Sequence, residues 1–189
     1  GRLTEAFAWV REQNLSPDDE LSFMREFEHF TLVRALIARY KTDRAPGDLQ
    51  AALSLLARLL QAAETGGRNG SVIEILILQS LAYQAQGDQP RALASLERAL
   101  SLAEPEGYVR IFVDKGEAVR LLIEVQSRNR DHPMRDYADK LLSAFAQPAA
   151  TTPKSKIKNL KSEIVEPLSE RELEVLKLLR SELSGPEIA

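Results

Sequence analysis

The sequence contains no cysteine. Disulfides, thiol catalysis and cysteine-ligated zinc are thereby excluded, and the composition fits a reducing compartment, so a cytoplasmic location is expected. Histidine is scarce as well. His29 and His132 are far apart, and neither has an acidic or histidine partner at metal-ligand spacing, so no metal is expected. No apolar run approaches the roughly 18–20 residues that span a bilayer. Gly1-Arg2-Leu3 opens no secretory signal, and the chain is read as starting mid-protein, with no membrane partner. An excess of positive charge is also lacking. Twenty-five basic residues against 28 acidic leave a net charge of −3, which argues against a strongly basic nucleic-acid surface.

Catalytic and cofactor motifs are missing too. There is no Gly-x-x-x-x-Gly-Lys-Ser/Thr phosphate loop, and no serine stands in a nucleophile-elbow context. The acidic pairs Asp18/Asp19 and Glu26/Glu28 read as a solvated helix face beside Arg25, not as acid–base machinery. No catalytic residue and no cofactor are expected in this chain, and an enzyme is the reading with least support.

What the 189 residues do contain is an internal repeat. The run Gly47–Glu64 aligns without a gap on Gly87–Glu104, at an offset of 40 residues, with nine of 18 pairs identical. A weaker copy opens the chain, where Gly1, Leu3, Ala6, Phe7 and Val10 match Gly47, Leu49, Ala52, Leu53 and Leu56. Each copy reads as a glycine turn followed by an amphipathic helix with a small alanine at its crossing point. Another helix is predicted before each of the later two, over Phe23–Lys41 and Val72–Gln86. Helix pairs repeating at this length describe an all-α solenoid, where each pair hides its apolar face against its neighbours.

Pro105 and Gly107 stop the second repeat. Val109–Val113 has strand-like composition, but between helices one or two helical turns are expected. Two more helices are predicted, over Glu117–Arg128 and Pro133–Phe145, the second with proline suited to its first turn. The domain reading is a helical-repeat sensor or effector region at 1–146, a Pro-, Thr- and Lys-rich linker at 147–167, and a distinct segment at 168–189. In that last segment Ser169 precedes Glu172 by three residues, as Ser184 precedes Glu187, so each pair forms a capping box. Between them Leu173, Leu176, Leu179 and Leu183 make one apolar stripe.

The repeats resemble tetratricopeptide repeats. Ser80 stands as the small residue of a first helix and Tyr83 follows. Ala92, Leu96 and Ala99 hold the packing positions of a second. Leu59 departs from the pattern, and the loops Thr42–Pro46 and Thr65–Gly70 lengthen the usual period of about 34 residues. Leu168–Ala189 closely resembles the start of a LuxR-type helix-turn-helix, stopping inside its scaffold helix. Taken with Leu15-Ser-Pro-Asp-Asp19, Gly70-Ser-Val-Ile-Glu-Ile75 and Ala103-Glu-Pro-Glu-Gly-Tyr-Val-Arg110, the chain is similar to the C-terminal region of the large ATP-dependent LuxR-type regulators related to the maltose-regulon activator. That resemblance implies ATP bound only in an N-terminal part outside this chain. It implies DNA bound by the full-length protein but not by this chain, whose recognition helix is absent. The repeats would be where an unknown small-molecule or protein effector acts.

Aligning the repeats places His29, Leu32, Leu36, Arg39 and Tyr40 on one effector-facing surface, joined by Glu74, Ile77, Leu81, Gln84 and Ala85 from the next repeat. Phe7 and Trp9 are expected on a bare flank of the first helix, open to self-association. The cluster Lys154–Lys161 reads as a solvated charge run, with DNA phosphate contact in the full protein as its alternative. The competing reading of the whole is a tetratricopeptide-type interaction scaffold with no DNA-binding role.

Overall fold

The three- and four-residue apolar period folds as helix throughout the computed structural model, which describes residues 2–128 and 133–146. Among these residues there are eight α-helices and no strand: α1 Arg2–Glu12, α2 Glu26–Asp43, α3 Pro46–Thr65, α4 Asn69–Gln86, α5 Gln89–Ala103, α6 Arg110–Val113, α7 Glu117–Ser127 and α8 Arg135–Ala146. A single 3-10 turn, Phe23–Arg25, leads into α2. The strand-like stretch at Val109 is the one-turn helix α6. His132, the stretch 147–167 read as a linker with its lysines, and the segment 168–189 read as the start of a helix-turn-helix lie outside the described residues.

Consecutive helices pack together from α1 to α5, and α2 also reaches α4, as α5 reaches α7. Connections of two or three residues turn the chain back on itself between α2 and α3, α3 and α4, and α4 and α5. The 40-residue offset carries Ala52, Leu56, Leu59 and Ala63 of α3 onto Ala92, Leu96, Ala99 and Ala103 of α5, and all eight are buried. Alanine there lets neighbouring backbones approach. Leu59 fills its larger share of the core at 2 % exposure, so the departure from the small-residue pattern is absorbed by packing. Helix α4 touches α2, α3, α5 and α7 and is apolar on nearly every side, as a surrounded helix must be. Its buried Ile73, Ile75, Ile77 and Leu78 each contribute roughly 1.5–3 kcal/mol of burial, more than the few tenths separating ordinary helix propensities.

The two aligned glycines do not play one role. Gly87 ends α4 at φ +87°, in the left-handed region, and turns the chain toward α5. Gly47 lies inside the first turn of α3, behind Pro46 at the helix entry. The left-handed residue of that turn is Arg44, at φ +56°. The aspartates that follow the glycines diverge in the same way. Asp88 caps α5, its Oδ1 accepting the backbone N–H of Arg91 at 3.0 Å and its Oδ2 the Arg91 Nε at 2.6 Å. Asp48 instead takes both forks of Arg39 from α2, and that guanidinium lies 4.1 Å over the ring of Phe7.

Both ends of the helical array are tied down by polar contacts. Arg58 of α3 donates to the carbonyls of Pro17 and Asp19, fixing the loop between α1 and α2 at 2.8 and 2.6 Å. At the other end, Tyr137 of α8 packs edge-on against Phe112 of α6, with ring centroids 6.3 Å apart, and donates its hydroxyl to the Tyr108 carbonyl.

Candidate functional site

The sequence-predicted surface divides sharply. His29, Leu32 and Leu36 on α2 and Ile77 on α4 are core residues, at 0, 2, 4 and 0 % exposure, and present nothing to a ligand. The reason is that α2 is packed by α1, α3 and α4 together, so most of its circumference is interior. Arg39 is committed to Asp48 and Phe7. Tyr40 lines a separate cleft of about 350 Å³ with Pro46, Leu49 and Gln86. Gln84 and Ala85 are half-buried on α4.

Two of the predicted residues, Glu74 and Leu81, do lie at a common site. It is a cleft of about 470 Å³ lined by Arg34, Leu78, Leu81, Asp114 and Lys115. Arg34 comes from α2, the leucines from α4, and Asp114 and Lys115 from the turn after α6. The carboxylate of Glu74 holds the lining together, accepting hydrogen bonds from Arg34 Nη2 and Lys115 Nζ on the same oxygen, Oε1. These side chains are far from fully solvated: Lys115 is 12 % exposed, Glu74 21 % and Arg34 38 %. Asp114 is paired with Arg110 at 2.9 Å on the more open side.

Arg34 went unrecognised in the sequence, yet a signal for it was present. Subtracting the 40-residue repeat offset from Glu74 gives Arg34, and subtracting it from Leu81 gives Lys41. Positions 27, 31, 34, 38 and 41 then form the outward stripe of α2 at helical spacing, every one exposed or half-buried.

Outside this cleft, Glu26 contradicts its reading as a solvated carboxylate. It is buried at 7 % exposure and accepts Ser71 Oγ at 2.6 Å and Arg68 Nη2 at 3.1 Å, tying the start of α2 to α4 and the residue before it. Phe7 and Trp9 are not bare either; both pack half-buried against the core, Phe7 beneath Arg39. Among the described residues the most exposed large apolar side chains are Phe23, Met24 and Phe27, in and just after the 3-10 turn that leads into α2, at 67, 85 and 69 % exposure. Among the described residues no group of three or more histidine or acidic side chains is placed to hold a metal ion, and no helix is long and apolar enough to cross a membrane.

Compared with known families, residues 1–128 match the model of the MalT-like TPR region. No curated protein and no solved structure matches the chain.

Proposed function

We propose, from the premise that this chain belongs to the MalT-like TPR region family, that it is the sensor region of a bacterial transcription activator. Its helix pairs form a solenoid that recognises an effector and passes the event to nucleotide-binding and DNA-binding domains. Leu168–Ala189, with its paired capping boxes and leucine stripe, is the first part of the DNA-binding domain.

The observation that carries this reading is the cleft bounded by Arg34, Leu78, Leu81 and Lys115. It gathers residues of α2 and α4, the first helices of the two repeats, and of the α6–α7 turn that follows them. A ligand there touches all three at once. Its affinity therefore differs between two spacings of these elements, which is the condition for a switch. An interaction scaffold is the second reading, and it draws on the exposed Phe23, Met24 and Phe27.

The test is a transcription reporter driven by the intact regulator, with Leu81→Arg placed at the half-buried edge of the cleft. The expected result is loss of the inducer response with unchanged affinity for operator DNA, measured by anisotropy at fixed salt. An inducer response equal to that of the unsubstituted protein, in a variant with an unchanged melting temperature, overturns the sensor assignment and leaves the scaffold.

A further inference from the structure

We infer that the cleft takes a small organic anion, a carboxylate or phosphate monoester on a short apolar body, with its charge between Arg34 and Lys115 and its body on Leu81. This rests on the sensor reading and narrows it to a ligand class.

The argument begins with a charge imbalance. Lys115 is largely withdrawn from water, and a cation in that position needs a partner. Its partner is Glu74, but the same carboxylate oxygen already serves Arg34. One negative charge is thus divided between two positive ones. Asp114 does not correct the sum, because Arg110 pairs with it. Arg34 and Lys115 set against Glu74 leave one positive charge, with the lining Asp114 answered by Arg110 from outside the cleft, and the low-dielectric walls of a cleft focus the field.

The shape supplies the other half of the ligand. A volume of about 470 Å³ falls within the roughly 300–1,000 Å³ typical of small-molecule sites. Leu81, half-buried on α4, gives the cleft its open apolar surface, with Leu78 buried one helical turn behind it at 1 % exposure. An organic cation would meet Arg34 and Lys115 and be repelled. A neutral ligand would have to compete with Glu74 for the same donors without a charge to favour it. An anion with an apolar tail satisfies both the excess charge and Leu81. Entering, it shares the two cations with Glu74 and relaxes that residue's hold on α2 and the α6–α7 turn, which links occupancy to the spacing of these elements.

The experiment follows the ¹³C-methyl resonances of Leu78 and Leu81 in the full chain during titration with hexanoate and hexyl phosphate, against hexanol and hexylamine. Saturable shifts with the two anions are expected, with hexanol weaker by about tenfold and hexylamine weaker still. Arg34→Gln, at the cleft rim, is expected to weaken the anions by about tenfold, with the melting temperature reporting that the fold is intact. Glu74→Gln removes the competing carboxylate and is expected to tighten them by about threefold, a direction that loss of structure would not give. Equal shifts with all four probes overturn the anion inference while leaving a ligand cleft and the sensor reading in place. Absence of any shift at the two leucines, in the parent and in Glu74→Gln alike, also overturns the inference. The sensor reading is then judged separately by the reporter response of Leu81→Arg.

Discussion

Neither ring nitrogen of His29 finds a hydrogen-bond partner among the described residues, although the side chain is completely buried. The nearest acidic oxygen, Asp19 Oδ2, stands 3.9 Å from Nε2, beyond hydrogen-bonding reach. An unsatisfied buried polar group costs about 1–3 kcal/mol, and a leucine fits a similar volume without it. His29→Leu is therefore expected to stabilise the fold by about 1 kcal/mol, seen as a higher urea midpoint at unchanged slope. A lower midpoint would mean that His29 is satisfied by a group the helices alone do not supply. At this scale the sequence was a poor guide. A histidine sits in the core of α2 and a phenylalanine, Phe27, two residues earlier stands exposed, so hydrophobicity alone points to the wrong face. A helix enclosed on three sides has no clear apolar stripe to check against, so repeat alignment alone puts His29, Leu32 and Leu36 on the effector surface while packing buries them.

The helices themselves were legible, because each carries an amphipathic period and a terminating signal. Predicted Val72–Gln86 is observed as Asn69–Gln86, ended by the glycine that the repeat supplies. Predicted Pro133–Phe145 begins at Arg135, after a turn at Pro133 and Met134. Boundaries moved where a cap or turn depends on which side chain wins a local hydrogen bond, and α5 gives a measurable case. Hydrogen bonds from the Arg91 backbone and then its guanidinium hold the Asp88 carboxyl below the usual carboxylate range. A lowered folded value means that the cap's stabilisation is fully present above about pH 4, the unfolded value, and is lost as pH falls through the folded one. Asp88→Ala should lower the melting temperature by a few degrees at pH 7. The difference between parent and variant should shrink as the pH is taken down from 4. A difference that persists undiminished into strong acid would show that the side chain acts by something other than its charge.

Across the whole molecule, the far end of the helical array is closed by one hydroxyl. Burial, and secondarily the nearby Glu104, raises the Tyr137 phenol to about 12. Here the sign is reversed: the folded state keeps the proton, so the contribution is complete below pH 10 and disappears between pH 10 and about 12. Alkaline denaturation followed by circular dichroism should therefore steepen in that window. Tyr137→Phe should remove the steepening while costing about 1 kcal/mol at neutral pH through the lost bond to the Tyr108 carbonyl. An identical alkaline profile in the variant would show that another group governs the transition. The repeat order was legible at this scale, and Glu74 stands beside the cleft, bonded to two residues that line it. Its partner Arg34 is reached by the 40-residue offset, but Lys115 is not, because it comes from the α6–α7 turn beyond the repeats and only packing brings it to Glu74.

The two aspartates that open the aligned repeats, Asp48 and Asp88, are served by different arginines. At the position equivalent to Arg39 the second hairpin has Gln79, and at the position equivalent to Arg91 the first has Ala51. Each hairpin thus supplies an arginine for its aspartate from a different place, one across the turn and one along the helix. The two halves look like copies but are no longer spare parts for one another. A second hairpin moved into the first position would bring no guanidinium to lie over Phe7. A first hairpin moved into the second would bring Ala51 where the Arg91 guanidinium now folds back onto its aspartate. The order of the modules is written into their charges, so shuffling or deleting a unit of this array changes its ends as well as its length.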